Sequence, residues 1–182
     1  MAPSAARDRL LATAVAEALA TGIADLSLRQ LAAALGTSHR MLLYHFGSRD
    51  GLLVAVTRAV EERERAALAD SIRRAEDVRR FWARISDPSL WPQERLFFEL
   101  YARALRGRPG TEGFLDGVVD SWTAELAAAM VANGADPADA RVDARLGVAV
   151  TRGLLLDLLA TGDRAGVTEA FERFVSRAEA AG

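Results

Sequence analysis

The spacing of apolar residues along this chain admits essentially one kind of secondary structure. Helix formers dominate, β-branched runs are scarce, and no stretch alternates apolar and polar residues over the length of a strand. From Arg7 to about Ala20, Leu11, Val15 and Leu19 recur at i, i+4, i+8 as one apolar stripe that ends at Thr21-Gly22. Ser27 followed by Gln30 has the form of a capping box for a helix over 27–35. Leu28, Leu31, Ala32 and Leu35 share one face of that helix, and Gly36 stops it. Thr37 or Ser38 can cap the next helix, which runs to Phe46. Gly47 then breaks it, and Ser48 can cap a longer helix from Arg49 to about 68. Further helices are expected over 70–85, 92–106, 112–133, 137–160 and 165–180, separated by DPSLWP, RGRPG, NGADP and TGD. The expectation is an all-α protein of two parts, three short helices followed by mostly longer ones.

A chain of 182 residues can bury a substantial core, either as one large domain or as a small domain joined to a larger one. Cysteine is absent, which excludes disulfides and thiolate metal sites. No apolar run reaches the length of a membrane span, and MAPSAARDRL lacks the apolar core of a secretory signal, so a cytoplasmic protein with no membrane partner is expected. The formal net charge of −2 does not point to nucleic acid. Its distribution is more informative: residues 1–50 carry five arginines against four acids, and 51–182 eighteen against twenty-one. Lysine is absent, a bias that with the high alanine content fits a GC-rich coding sequence better than a chemical need.

Helix 27–35, a turn at Gly36-Thr37-Ser38 and helix 39–46 make a helix-turn-helix. If Leu42 and Phe46 face the core, then His39, Arg40, Leu43 and Tyr44 face away from it. A helix whose first residues are His39 and Arg40 suits insertion into a major groove, where arginine reads guanine O6 and N7. Thr37, Ser38, Tyr44 and Arg49 are residue types that hold phosphates, as are the free amides at the helix N-terminus.

The stretch LSLRQLAAALGTSHRMLLYHFGSRDGLLVAV (26–56) resembles the DNA-binding domain of the TetR family of bacterial repressors. The LRQLA helix, the Gly-x-Ser turn, the Leu-x-Tyr-His-Phe helix and the Gly-Ser-Arg-Asp-x-Leu-Leu entry to the fourth helix carry the likeness. The resemblance implies an N-terminal helix-turn-helix DNA-binding domain over 1–48, then a larger helical domain for effector binding and dimerisation over 49–182. It also implies DNA contacts from Arg29, Thr37, Ser38, His39, Arg40, Met41, Leu43, Tyr44, His45 and Arg49. Two positions depart from the family pattern. Position 40, usually small, is arginine and could add a base contact; position 43, usually a phosphate-touching aromatic, is leucine and cannot make that contact.

Other readings compete for the same residues. His39 and His45 are six apart and share no helix face, which disfavours a metal pair. His45 serves equally well as a phosphate contact or an ordinary surface histidine, and Tyr44 could pack against the first helix. No nucleotide-binding, hydrolase or metalloprotease motif occurs, and carboxylate pairs such as Glu94/Glu99 and Asp116/Asp120 have the spacing of a solvated helix face. Neither catalysis nor a cofactor is expected. The alternatives to a regulator are a helical ligand-binding protein or a protein–protein adaptor with a helix-turn-helix that binds no DNA.

In the second part, 139–160 is strongly apolar and ordered about Val142, Leu146, Val150 and Leu154, while Gly147, Ala149 and Gly153 leave room for a close neighbour. With 114–133 it could form half of an intersubunit four-helix bundle, as the resemblance implies, or it could be an internal core helix. A homodimer is expected on separate grounds, because two helix-turn-helix motifs related by a two-fold axis read a palindrome. The aromatic residues cluster mid-chain, and Trp82, Phe98, Tyr101 and Trp122 are the candidates to line a small-molecule pocket, with Glu99, Thr123 or Arg152 as polar partners. Aromatics at helical spacing are more often plain core. The expected partners are thus an operator in double-stranded DNA, a small-molecule effector and a second copy of the chain.

Overall fold

A computed structural model describes residues 5–21, 23–73 and 78–181; Gly22, at the expected end of the first helix, and part of the expected 70–85 helix lie outside them. The helices are α1 (Ala5–Ala20), α2 (Leu28–Ala34), α3 (His39–Phe46), α4 (Arg49–Arg73), α5 (Val78–Ile85), α6 (Trp91–Leu105), α7 (Asp120–Ala132), α8 (Pro137–Thr161) and α9 (Arg164–Ala181). A short 3-10 turn, Pro88–Leu90, precedes α6, and the described residues contain no strand. By packing, the chain divides into one unit of residues 1–63 with 92–116 and a second of 64–91 with 117–182.

The first unit is organised by buried aliphatic residues. Leu31, Leu42 and Leu52 are each fully buried, from α2, α3 and α4, and α1 adds Ala14, Val15 and Ala18. The stripe expected on α1 needs correction at Leu19, which is 43% exposed. Strict i+4 spacing rotates each step by about 40° around the helix, so Leu19 has drifted off the face that Val15 buries. Later in the unit, Phe114 is buried and packs on Phe97 of α6, ring centroids 6.0 Å apart. The helix expected over 112–133 begins only at Asp120. Residues 112–119 form successive turns, with Gly113 and Gly117 at φ of +67° and +71°, a conformation no helix accommodates.

The second unit is built around Trp82. Its indole stacks on Phe171 of α9 at 4.6 Å, and its Nε1 donates to Thr168 Oγ1 at 3.1 Å. Arg79 reinforces the same α5–α9 contact, donating to Glu172 at 2.7 Å and to both carboxylate oxygens of Glu179 at 2.9 and 3.0 Å. Helix α8 buries Ala140, Ala144, Val148, Leu155 and Leu158. A Cβ on Gly147 would meet Leu126 of α7 at 3.4 Å, so this glycine lets α7 and α8 pack closely. Glu64 is enclosed in this unit, and burial raises its carboxyl above the usual range, partly offset by the Arg84 guanidinium at 2.7 Å. Among the described residues, no helix is long and apolar enough to cross a membrane.

The Trp82–Phe171 stack predicts a specific weakness. Phe171→Ala is expected to cost about 3–5 kcal/mol, read in urea unfolding of the second unit by tryptophan fluorescence, since Trp82, Trp91 and Trp122 all lie in it.

Candidate nucleic-acid interface

Local capping holds the helix-turn-helix in place. Ser27 Oγ accepts from the Gln30 amide at 3.3 Å while Gln30 Oε1 accepts from the Ser27 amide at 2.9 Å, closing the capping box at the start of α2. At its end, the Gly36 amide donates to Ala33 O and the Thr37 amide to Ala32 O, the paired bonds of a Schellman turn. Such a turn needs a left-handed residue, which Gly36 supplies at φ +62°. Ser38 then caps α3, its Oγ accepting from the Met41 amide at 3.2 Å. Of the two residues expected as possible caps, Ser38 makes the capping bond, from the extended backbone that the N-cap position requires.

Leu42 is the buried residue of α3, and its burial turns the rest of the helix outward. His39, Arg40, Met41, Leu43 and Tyr44 are exposed, with Tyr44 at 79%. That exposure rules out packing of Tyr44 against α1. Arg29 on α2 and Ser38 at the turn are exposed as well, and Thr37 is half-buried. His45 is half-buried with its ring edge-on to Tyr44 at 4.9 Å. The far end of α3 is clamped by Arg7, whose guanidinium lies 5.2 Å from the Phe46 ring and whose Nε donates to His45 O at 3.4 Å. Sequence reasoning misses this contact, because nothing about an arginine in the first turn of a helix reveals a partner 38 residues away.

Arg49 serves the fold. Its Nε donates to Leu26 O at 2.8 Å, one of its Nη groups donates to Ala24 O, and the other lies 3.3 Å from Asp50. The guanidinium therefore staples the start of α4 to the turn ahead of α2. To reach a phosphate, as expected from the sequence, it would have to release these carbonyls.

The remaining predicted residues lie elsewhere. Trp82 is buried in its stack, while Phe98 and Tyr101 are half-buried beside Phe97 on α6, at 5.2 and 5.7 Å. Trp122 of α7 is half-buried against Phe81 at 6.1 Å. Phe98 and Tyr101 thus belong to the first unit, and Trp82 and Trp122 to the second. Of the suggested polar partners, Glu99 is exposed on α6, Thr123 Oγ1 bonds its own helix at Val119 and Asp120, and Arg152 donates to Val118 O at 2.6 Å. On α8, Val142 and Leu146 are 68% and 53% exposed, and Val150 and Leu154 are half-buried. Among the described residues, no cluster of three His, Cys, Asp or Glu is placed to hold a metal ion.

The staple can be tested by itself. Arg49→Met leaves two carbonyls without their charged donor, and hydrogen bonds to charged groups are worth about 1.5–3 kcal/mol. A loss of at least about 1.5 kcal/mol is expected in unfolding followed by far-ultraviolet circular dichroism; an unchanged transition would show that these bonds do not hold α4 to the turn.

Comparison with known proteins agrees with this geometry. Residues 10–56 match the family model for bacterial regulatory proteins of the tetR family. A TetR transcriptional regulator from Legionella pneumophila superposes with a TM-score of 0.64 at 22% identity, covering 96% of this chain and 99% of that one. A transcriptional regulator from Rhodococcus sp. RHA1 superposes at 0.64 with 21% identity, covering 90% of each chain. The multidrug binding protein EbrR in complex with proflavin gives 0.61 at 27% identity, over 92% of this chain and 98% of that one. No curated protein matches the sequence. Over residues 10–56 the chain thus matches the tetR family of bacterial regulatory proteins, and over nearly its whole length it shares the all-helical fold of solved transcriptional regulators.

Proposed function

We propose that the chain is a cytoplasmic, homodimeric transcriptional repressor that binds a palindromic operator and is released by a small-molecule effector. The observation that carries this reading is the outward face of α3, where His39, Arg40, Met41, Leu43 and Tyr44 are all exposed beside a capped N-terminus. In the proposed complex α3 lies in the major groove, and Arg40 and Arg29 read base edges. Thr37, Ser38 and Tyr44 hold the backbone, with His39, Met41, Leu43 and His45 closing the contact surface. Arg49 supports the surface from behind.

Function divides in this proposal at residue 48, with DNA reading before it and effector binding and dimerisation after it. Phe98 and Tyr101 in the first unit, and Trp122 in the second, each have a half-buried ring and are taken separately as candidate effector contacts; Trp82 would take part only if its stack on Phe171 opened. EbrR, a multidrug binding protein solved with proflavin, supports effector binding in a relative of this fold. Val142, Leu146, Val150 and Leu154 would form the dimer seam, since Val142 and Leu146 stand exposed on the face of α8 away from its buried alanines. The effector acts by preferring a state in which the two recognition helices no longer match the half-site spacing. No catalytic step is assigned to any residue.

Selection of bound sites from a random duplex library is expected to recover a two-fold symmetric sequence, and Arg40→Ala should relax one base position per half-site, by about 1–3 kcal/mol. Recovery of nothing, even after ligand has been stripped by refolding, would favour a helical ligand-binding protein. Recovery of binding without a palindrome would contradict the dimeric reading. Separately, Leu146→Glu is expected to convert the dimer to monomer in sedimentation equilibrium while leaving the helical content unchanged.

A further inference from the structure

We infer that Arg103, well beyond the matched DNA-binding segment, is a positioning residue for the DNA-reading surface, and that the end of α6 with residues 106–116 is a working part of that surface's support. The inference rests on the reading of α3 as a DNA-recognition helix.

Arg103 stands in the last turn of α6 and Asp50 in the first turn of α4, and the two form an ion pair. A cation at a helix C-terminus and an anion at a helix N-terminus are each favoured by the backbone dipoles, so this pairing suits both helix ends. The side chains are 25% and 17% exposed, which limits screening by salt. Asp50 also lies 3.3 Å from Arg49, and Arg49 in turn donates to Leu26 O and Ala24 O. Leu26 directly precedes Ser27, the residue that caps α2. A continuous polar path therefore runs from α6 through the start of α4 to the first cap of the helix-turn-helix.

A second tie holds the loop after α6 on the same side of α4. Arg58 donates to Gly113 O, and Gly110 approaches Asp50 and Ser48 so closely that a Cβ there would lie 2.8 Å from Asp50 Cβ and 3.1 Å from Ser48 Oγ. Phe114 anchors the loop on Phe97, and the Gly110 amide donates to Glu112 Oε1 at 3.0 Å. Residues 92–116 accordingly pack in one unit with the helix-turn-helix. A shift of the α6 end would then reach α2 and α3 through Asp50 and Arg49.

The test uses the full chain and needs no DNA for its first readout, so its failure is separable from failure of the DNA-binding reading. In hydrogen exchange followed by mass spectrometry, Arg103→Met is expected to speed exchange of amides in 24–31 by about threefold or more, with α7 to α9 unchanged. The exposed Arg106, changed to Met, is the control and should leave 24–31 protected. Arg103→Lys, which keeps the charge, should restore most of the protection, and Asp50→Asn/Arg103→Met should be no worse than Asp50→Asn alone. On a selected operator, Arg103→Met should weaken binding without altering its salt dependence, because a positioning residue neutralises no phosphate; losing a phosphate contact would change the slope by about 0.9. Unchanged protection at 24–31, or faster exchange spread equally over α7 to α9, would overturn the proposal. A reduced salt slope would overturn it too, by making Arg103 a direct DNA contact.

Discussion

The burial of Leu42 is the contact on which the rest of the interface depends. At eight residues α3 is shorter than any helix that holds its shape alone in water. What keeps it helical is the Ser38 cap at one end and one fully buried leucine in its middle. That burial also sets the rotation of the helix. With Leu42 facing inward, helical geometry turns His39, Arg40, Leu43 and Tyr44 outward together. The surface proposed to read DNA is thus the far side of a packing decision made by one aliphatic residue.

Electrostatics fix where this small assembly sits. The first turn of α4 gathers Arg49 and Asp50, and their partners lie on the turn before α2 and the end of α6, with the loop after α6 packed against them. Half-buried charged groups carry a desolvation cost that only well-placed partners offset, so the cluster tolerates few alternative arrangements. In the second unit a stacked pair, Trp82 on Phe171, has the equivalent part, with apolar area in place of charge.

Local signals in the sequence carry much of the motif. The capping box at Ser27 and Gln30, the glycine turn and the Ser38 cap are interactions between residues at most a few positions apart, and each is legible in the order of the residues alone. The outward face of α3 follows from the same periodicity. Where the contact is distant, the sequence is silent or misleading. Arg7 clamps Phe46, and Arg49 is held by carbonyls more than twenty residues before it; neither partner leaves a trace in spacing. An i+4 run read as a straight stripe misplaces Leu19. A helix expected over 112–133 overlooks Gly113 and Gly117, which stand among apolar residues but turn the chain.

The role of α3 is tested most directly by the salt dependence of binding, by fluorescence anisotropy of the selected operator duplex between about 50 and 200 mM salt. If Arg29 and Arg40 of two chains lie against the duplex, affinity should fall linearly on a log–log plot, by a factor of about 10² for four neutralised charges. Tyr44→Phe should lower affinity at constant slope, because the phenol it removes carries no charge. Affinity that does not change with salt, or that is the same in wild type, Arg40→Ala and Tyr44→Phe, would contradict the assignment of α3 as the surface that reads DNA.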